Sequence, residues 1–200
     1  LSAEENAALY AGFNKEFDKK SFLNELDHGN IVDVIRVEEV KKDEAFFIEA
    51  GTIHSIGKGV VIAEIQQASD ITYRLYDWDR KDSKGVGREL HANLAIDAFD
   101  FSKTESCKVS YSKKENQPNQ MVSCQFFTSN KLTINRTYVR DLKAIDSFVV
   151  YMCVGGEGLL KINEKFERIV LGETLLIPAK VEEVIIESKT TIELLEIYIE

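Results

Sequence analysis

GETLLIPAKVEE, residues 172–183, and DEAFFIEAGTIH, residues 43–54, share one internal layout. In each, a short apolar run leads into a tight corner, and a second apolar run starts beyond it. Asp43, Glu49, Gly51 and His54 hold the positions in the first copy that Gly172, Pro178, Lys180 and Glu183 hold in the second. A repeat of strand, corner and strand predicts two related β units in succession along the chain. Working outward, IVDVIRV from 31, AFFI from 45, VVIAEIQQ from 60 and ITYRLY from 71 are short runs rich in β-branched and aromatic residues. They predict strands separated by turns. Beyond residue 120 come MVSCQFF, LTINRTYV, SFVVYMC, GLLKIN, ERIV, TLLIP, EEVII and IELLEIYI. Many short strands with turns at intervals of about 8 to 12 residues predict a mainly β fold of sandwich or jelly-roll type.

Helical texture is confined to two places. Ser2-Ala3-Glu4-Glu5 has the form of a capping box, and Leu9, Phe13, Phe17, Leu23 and Leu26 follow at loosely helical spacings. One or two helices are therefore expected over residues 2–28, stopped by Asp27-His28-Gly29-Asn30. Leu90, Leu94, Ala95, Ala98 and Phe99 share a stripe that predicts another helix near 87–99. Residues 102–119, rich in Lys, Ser and Asn, read as a connector with one short strand at CKVSY. The predicted division is a helical segment at 1–30, a first β unit at 31–101, a connector at 102–119 and a second β unit at 120–200.

Composition bounds the function. The chain has 200 residues, 34 Asp and Glu against 25 Lys and Arg, and a formal charge of −9. No basic cluster offsets that charge, so a nucleic-acid backbone would be repelled and is not the expected partner. No apolar run approaches the roughly 18 residues needed to span a bilayer, and charged side chains fill the start of the chain where a signal peptide would be apolar. Cys107, Cys124 and Cys153 are odd in number and widely spaced, as expected for thiols in a reducing compartment. The expectation is a cytoplasmic protein with no membrane partner, of a size that needs no metal for bulk stability. Oligomeric state is not legible.

The residues that can carry chemistry lie in the first half. His54 follows a corner glycine in EAGTIHSIGKG, which would let an imidazole on the next strand point into a barrel and bind Zn; the alternative is a hydrogen-bonded core histidine. Glu64 shares a strand face with Ile62 and Gln66, and Arg74 shares one with Thr72 and Tyr76. If those faces line a cavity, a carboxylate and a guanidinium stand near the imidazole, an arrangement able to neutralise oxyanion charge; otherwise they are a surface ion pair. Trp78, between Asp77 and Asp79, is either a cap on such a site or a buried anchor. His91 is expected to fix a helix, and His28 to sit at a helix end. Asp70 is expected in a turn. Gly155-Gly156-Glu157-Gly158 is expected to form a hairpin turn, since no helix opens behind it as a phosphate cradle would need.

Gly, five residues, Pro, one residue, Gly, two residues, His is the second motif of cupins, and the two copies above resemble it. Gly51 and His54 match in the first copy, and Gly172 and Pro178 in the second. The stretch Glu49–Arg80, with AGTIHSIGKGV, EIQQASDITYRLYDWDR and then RELH at 88–91, resembles the signature region of type I mannose-6-phosphate isomerases (phosphomannose isomerases). The resemblance implies tandem cupin (double-stranded β-helix) units, the first metal-binding and interrupted by a helical insertion, the second degenerate. It implies zinc as cofactor with His54 as a metal ligand, Arg74 as the active-site arginine that also contacts the phosphosugar substrate, and Glu64 in proton transfer or substrate positioning. The implied reaction interconverts mannose 6-phosphate and fructose 6-phosphate through an enediol. The family's other ligands, a Gln-x-His pair and a Glu, have no counterpart here, since no Gln-x-His occurs. The expectation is therefore a carboxy-terminal portion of a longer isomerase, inactive by itself. The alternative is a non-catalytic sugar-binding or regulatory cupin without metal.

Overall fold

The repeat in the sequence is a repeat of backbone geometry. Asp43 and Gly172, at matching positions, both adopt left-handed backbone, with φ of 63° and 88°. The Thr52 N–H donates to the Glu49 carbonyl at 3.1 Å, and at the same place in the second copy the Val181 N–H donates to the Pro178 carbonyl at 3.0 Å. A strand then begins at His54 in one copy and at Glu183 in the other. The computed structural model that carries these features describes residues 1–69, 71–102 and 104–199. It divides into two compact units, Leu1–Lys108 and Val109–Glu200.

In the first unit the elements run β1 (Ser2–Ala3), β2 (Ala8–Phe13), α1 (Lys19–Asp27), α2 (Ile31–Val34), β3 (Ile35–Glu39), β4 (Ala45–Phe46), β5 (His54–Ile56), β6 (Val60–Val61), α3 (Ala92–Ala98) and, at the junction, β7 (Lys108–Val109). A three-stranded sheet in the order β3-β2-β5 is its framework. Leu9, Ala11 and Phe13 alternate along β2 and are all buried, the period of a strand. Phe13 joins Phe17, Phe22, Phe99 and Phe101 in an aromatic core with ring centroids 5.2 to 6.2 Å apart.

Three expectations for this unit need correction. The helix predicted over 2–28 exists only as Lys19–Asp27, because the apolar residues before it are spaced in twos; the capping box forms at Asp18 and Ser21 instead of at Ser2. His28 is the C-cap of that helix, with Nδ1 2.6 Å from the Asn24 carbonyl. The strand expected from residue 31 starts as the helical turn Ile31–Val34 and becomes extended only at Ile35. The strands expected at 60–67 and 71–76 shrink to Val60–Val61, which pairs with Ser2–Ala3. Among the described residues no neighbouring strand supplies a ladder to the rest, and without a ladder β propensity alone does not make a strand. Asp70 lies outside the described residues.

The second unit is all β: β8 (Asn119–Ser123), β9 (Thr128–Asp141), β10 (Val149–Gly155), β11 (Glu157–Ile162), β12 (Lys165–Val170), β13 (Thr174–Ile177) and β14 (Glu183–Tyr198). β14 pairs with β9 along one edge, and its other edge pairs with β11 near its start and β10 near its end. β12 flanks β11, β13 flanks β10, and β8 flanks β9. The inward-facing Leu132, Ile134, Tyr151, Leu160, Ile169, Val184, Ile186, Ile192 and Leu194 make one closed core. Each such aliphatic side chain contributes on the order of 1.5–3 kcal/mol by leaving water.

Two sequence runs, EEVII and IELLEIYI, are here one strand, because a bulge between Glu187 and Thr191 absorbs the polar SKT without ending the pairing with β9. The glycine-rich turn is also not a hairpin. β10 and β11 do not pair with each other; both run antiparallel to β14 and lie one after the other along its edge, Gly155 opposite Glu193 and Leu159 opposite Glu187. Gly156 is the bend between them, with φ of 71° and room for no Cβ, which would lie 2.3 Å from the Thr191 carbonyl oxygen. Cys107 and Cys153 are buried free thiols and Cys124 is half-buried. Among the described residues no helix is long and apolar enough to cross a membrane.

Candidate functional site

His54 follows a corner that favours glycine. Gly51 has φ of 88°, and a Cβ there would lie 3.1 Å from the Ala98 carbonyl oxygen. The chain then enters β5, where His54 pairs with Ala11 and Ser55 with Tyr10. The His54 ring is exposed, with Nδ1 3.0 Å from the Thr52 carbonyl oxygen. A carbonyl can only accept, so Nδ1 carries a proton, and the neutral ring presents a lone pair at Nε2, the state in which imidazole binds a metal.

Arg74 is half-buried on an irregular segment that is fixed by a pair of bonds to His91. The His91 N–H donates to the Arg74 carbonyl at 2.7 Å, and the Arg74 N–H donates to His91 Nδ1 at 3.3 Å. The guanidinium Nη1 donates to the Glu89 carbonyl at 3.4 Å. His91 therefore ties the TYR segment to the start of α3, where it occupies the N-cap position. Glu64 is exposed and makes no hydrogen bond or ion pair among the described residues. No hydrogen bond or ion pair links His54, Glu64 and Arg74. The shared strand faces expected of Glu64 and Arg74 do not exist, because neither residue is in a strand.

The zinc expectation meets the same limit. Among the described residues no three His, Cys, Asp or Glu side chains are grouped to hold a metal ion. A single imidazole does not build the tetrahedral shell that zinc requires, so the residues present do not fit the ion and no chemical step is derived through it.

The tightest polar cluster of this unit was not singled out in the sequence. Asp77 is 6 % exposed and accepts from both Arg88 and Arg80. Arg88 Nε reaches Oδ2 at 2.7 Å while its Nη2 bonds Oδ1, and Arg80 Nη2 reaches Oδ1 at 2.6 Å. The Arg88 guanidinium, reinforced by Arg80, holds the Asp77 carboxyl well below the usual carboxylate range, although burial acts the other way. Alternation of charge in YDWDR does not tell a buried aspartate from an exposed one; the fold does. Next to it Trp78 and Asp79 are both left-handed, with φ of 53° and 52°, a conformation rare for non-glycine residues. Trp78 is 38 % exposed, so it is no buried anchor. It rests on Tyr10 and Tyr76, with centroids 5.0 and 5.5 Å away, and its Nε1 approaches Ser55 Oγ at 3.5 Å. Since His54 and Ser55 are successive residues of a strand, this aromatic group lies on the face of β5 opposite His54.

Residues 117–198 match the family described as mannose-6-phosphate isomerase, cupin domain. The chain is 30% identical over 180 residues to the mannose-6-phosphate isomerase ManA of Bacillus subtilis, and 29% identical over 179 residues to the mannose-6-phosphate isomerase of Streptococcus mutans. Superposed on the crystal structure of the mannose 6-phosphate isomerase from Bacillus subtilis, it gives a TM-score of 0.87 at 28% identity over 99% of its length. Residues 117–198 form a cupin domain of the mannose-6-phosphate isomerase type, and the chain as a whole is a cupin-superfamily protein similar to mannose-6-phosphate isomerases. This cupin shares its fold, at 14% identity and a TM-score of 0.69, with a structure titled as a putative mannosephosphate isomerase from Archaeoglobus fulgidus. It covers 89% of itself but 56% of each of the two curated relatives, and 62% of the Bacillus subtilis crystal chain.

Proposed function

We propose that this cupin serves the isomerisation of mannose 6-phosphate and fructose 6-phosphate. The observation that carries the reading is the superposition of 99% of this chain on 62% of the Bacillus subtilis isomerase. In the proposed reaction a base takes the proton from C2 of the open-chain sugar, an enediol forms, and the proton returns at C1. Arg74 is assigned to the developing oxyanion, since a guanidinium stabilises negative charge without giving up its proton. Its backbone, locked to His91, holds the side chain near the start of α3. Glu64, exposed and unpaired, is assigned to substrate positioning or proton transfer. His54 offers a single metal-binding nitrogen, and the described residues gather no further ligands. These 200 residues by themselves are accordingly expected to be inactive.

The test joins this chain to the part of the Bacillus subtilis relative that it does not match, and follows conversion of mannose 6-phosphate to fructose 6-phosphate. Turnover is expected from the chimera and not from the 200 residues alone. Arg74→Ala in the chimera should lower turnover about 100- to 1000-fold with the melting temperature preserved. A folded chimera that binds mannose 6-phosphate without turning it over would support the second reading, a non-catalytic sugar-binding cupin. Turnover by the chain alone, or near-normal turnover by Arg74→Ala, would overturn the assignments.

A further inference from the structure

The second unit carries a cleft of about 540 Å³ lined by Lys143, Lys161, Asn163, Lys180, Glu182 and Glu183, over Val181 and Ile185. Its place in the fold is informative. Lys180 and Glu183 occupy the positions of the repeat that Gly51 and His54 occupy in the first unit, on the corner closed by the Val181 to Pro178 hydrogen bond. The corner that presents the imidazole in one unit presents an ammonium and a carboxylate in the other.

Three cations meet here in a chain with a net charge of −9. Among the described residues none of the three lysines is in an ion pair; Lys161 Nζ lies 5.3 Å from the Phe166 ring centroid, which orients it without neutralising it. Three lysines against two carboxylates leave the lining with a surplus of positive charge, and a multiply charged anion that enters can draw on all three ammonium groups. The two carboxylates narrow the choice of ligand. They would repel an extended polyanion, but they accept hydrogen bonds from hydroxyl groups, as does the Asn163 amide oxygen. We propose that this cleft is a binding site for a small phosphorylated polyhydroxy compound, with the three lysines on the phosphate and Glu182 and Glu183 on the hydroxyls.

The test is calorimetric titration of the 200-residue chain with inorganic phosphate and with a hexitol 6-phosphate, which cannot be isomerised. Saturable binding of both is expected, tighter for the hexitol phosphate and weakening steeply between about 0.05 and 0.5 M salt. Each of Lys143→Gln, Lys161→Gln and Lys180→Gln should weaken phosphate binding about fivefold. Glu182→Gln combined with Glu183→Gln should strengthen inorganic phosphate and remove the advantage of the hexitol. All are surface changes, checked for folding by melting temperature. To separate this site from the proposed isomerisation site, the triple lysine variant built into the chimera should keep its turnover of mannose 6-phosphate. No saturable binding below about 10 mM, or binding undiminished in the triple lysine variant, would overturn the proposal; equal affinity for phosphate and hexitol phosphate would overturn the polyol assignment.

Discussion

Asp77 is the residue on which the loop between the Arg74 segment and α3 depends. Its carboxylate is the shared acceptor of two guanidiniums, and the loop beyond is pinned again by Asp82, whose Oδ1 accepts from the Lys84 and Val86 N–H groups. Asp77→Asn would leave Arg80 and Arg88 competing for a neutral amide. Trypsin cleavage at Lys81 and Lys84 should then be about tenfold faster, as expected when local opening becomes easier; an unchanged rate would mean that Asp82 alone holds the loop. The pH dependence has a defined sign. Because the folded carboxyl lies below its ordinary value, its stabilisation is complete above the unfolded value near 4 and is lost as pH falls through the folded one. Protection of this loop should be flat from about pH 8 to 5 and fail only in strong acid, a profile that Asp77→Asn should abolish.

At the scale of elements, the long strands β9 and β14 matter most, because their lengths carry one end of the barrel to the other. Glu196 on β14 is fully buried, with Asn130 and Tyr151 directly opposite it on the two neighbouring strands. Both donate to it at 2.9 Å, and Arg140, from the far end of β9, closes the set with bonds of 2.8 and 2.9 Å. Every lone-pair direction of the carboxylate has a donor. Burial first, and then the Glu196 charge, pushes the Tyr151 hydroxyl well up, so it stays a donor throughout the neutral range. Arg140→Leu removes one charge and strands the other, and should cost about 3–5 kcal/mol in denaturant melts; Arg140→Leu together with Glu196→Leu should recover much of it. A single variant within about 0.5 kcal/mol of the parent would refute a paired, buried charge. Gly156 is the second device at this scale. Gly156→Ala meets a left-handed backbone costing about 1–2 kcal/mol and the Thr191 carbonyl besides, so a loss larger than that is expected; a neutral result would mean that the bend relaxes.

For the molecule as a whole, the residues of the second unit close their own core, with all seven strands contributed between Asn119 and Tyr198. Residues 109–200 made alone should unfold in one cooperative transition and retain the Arg140 dependence. A molten product without dispersed amide signals would contradict that. The first unit is differently built: exposed Ile62, Ile71, Tyr73 and Leu90 lie in segments that have no strand partner among the described residues. Much of this was open to reading in the chain. The β class, the repeated corner, Gly51 ahead of His54 and the β runs beyond 120 follow from residue type and spacing, which act locally. What needed tertiary structure was everything set by a distant partner. Leu9 to Phe13 could be read as helix until neighbouring strands bonded to it, and ITYRLY has strand composition but no ladder. The bend at Gly156 looks like a hairpin until β14 is seen lying beside both of its arms. Asp77 and Glu196 acquire their surroundings only when folding brings partners from up to 66 positions away, because burial and electrostatic pairing depend on separation in space and a sequence records only separation along the chain.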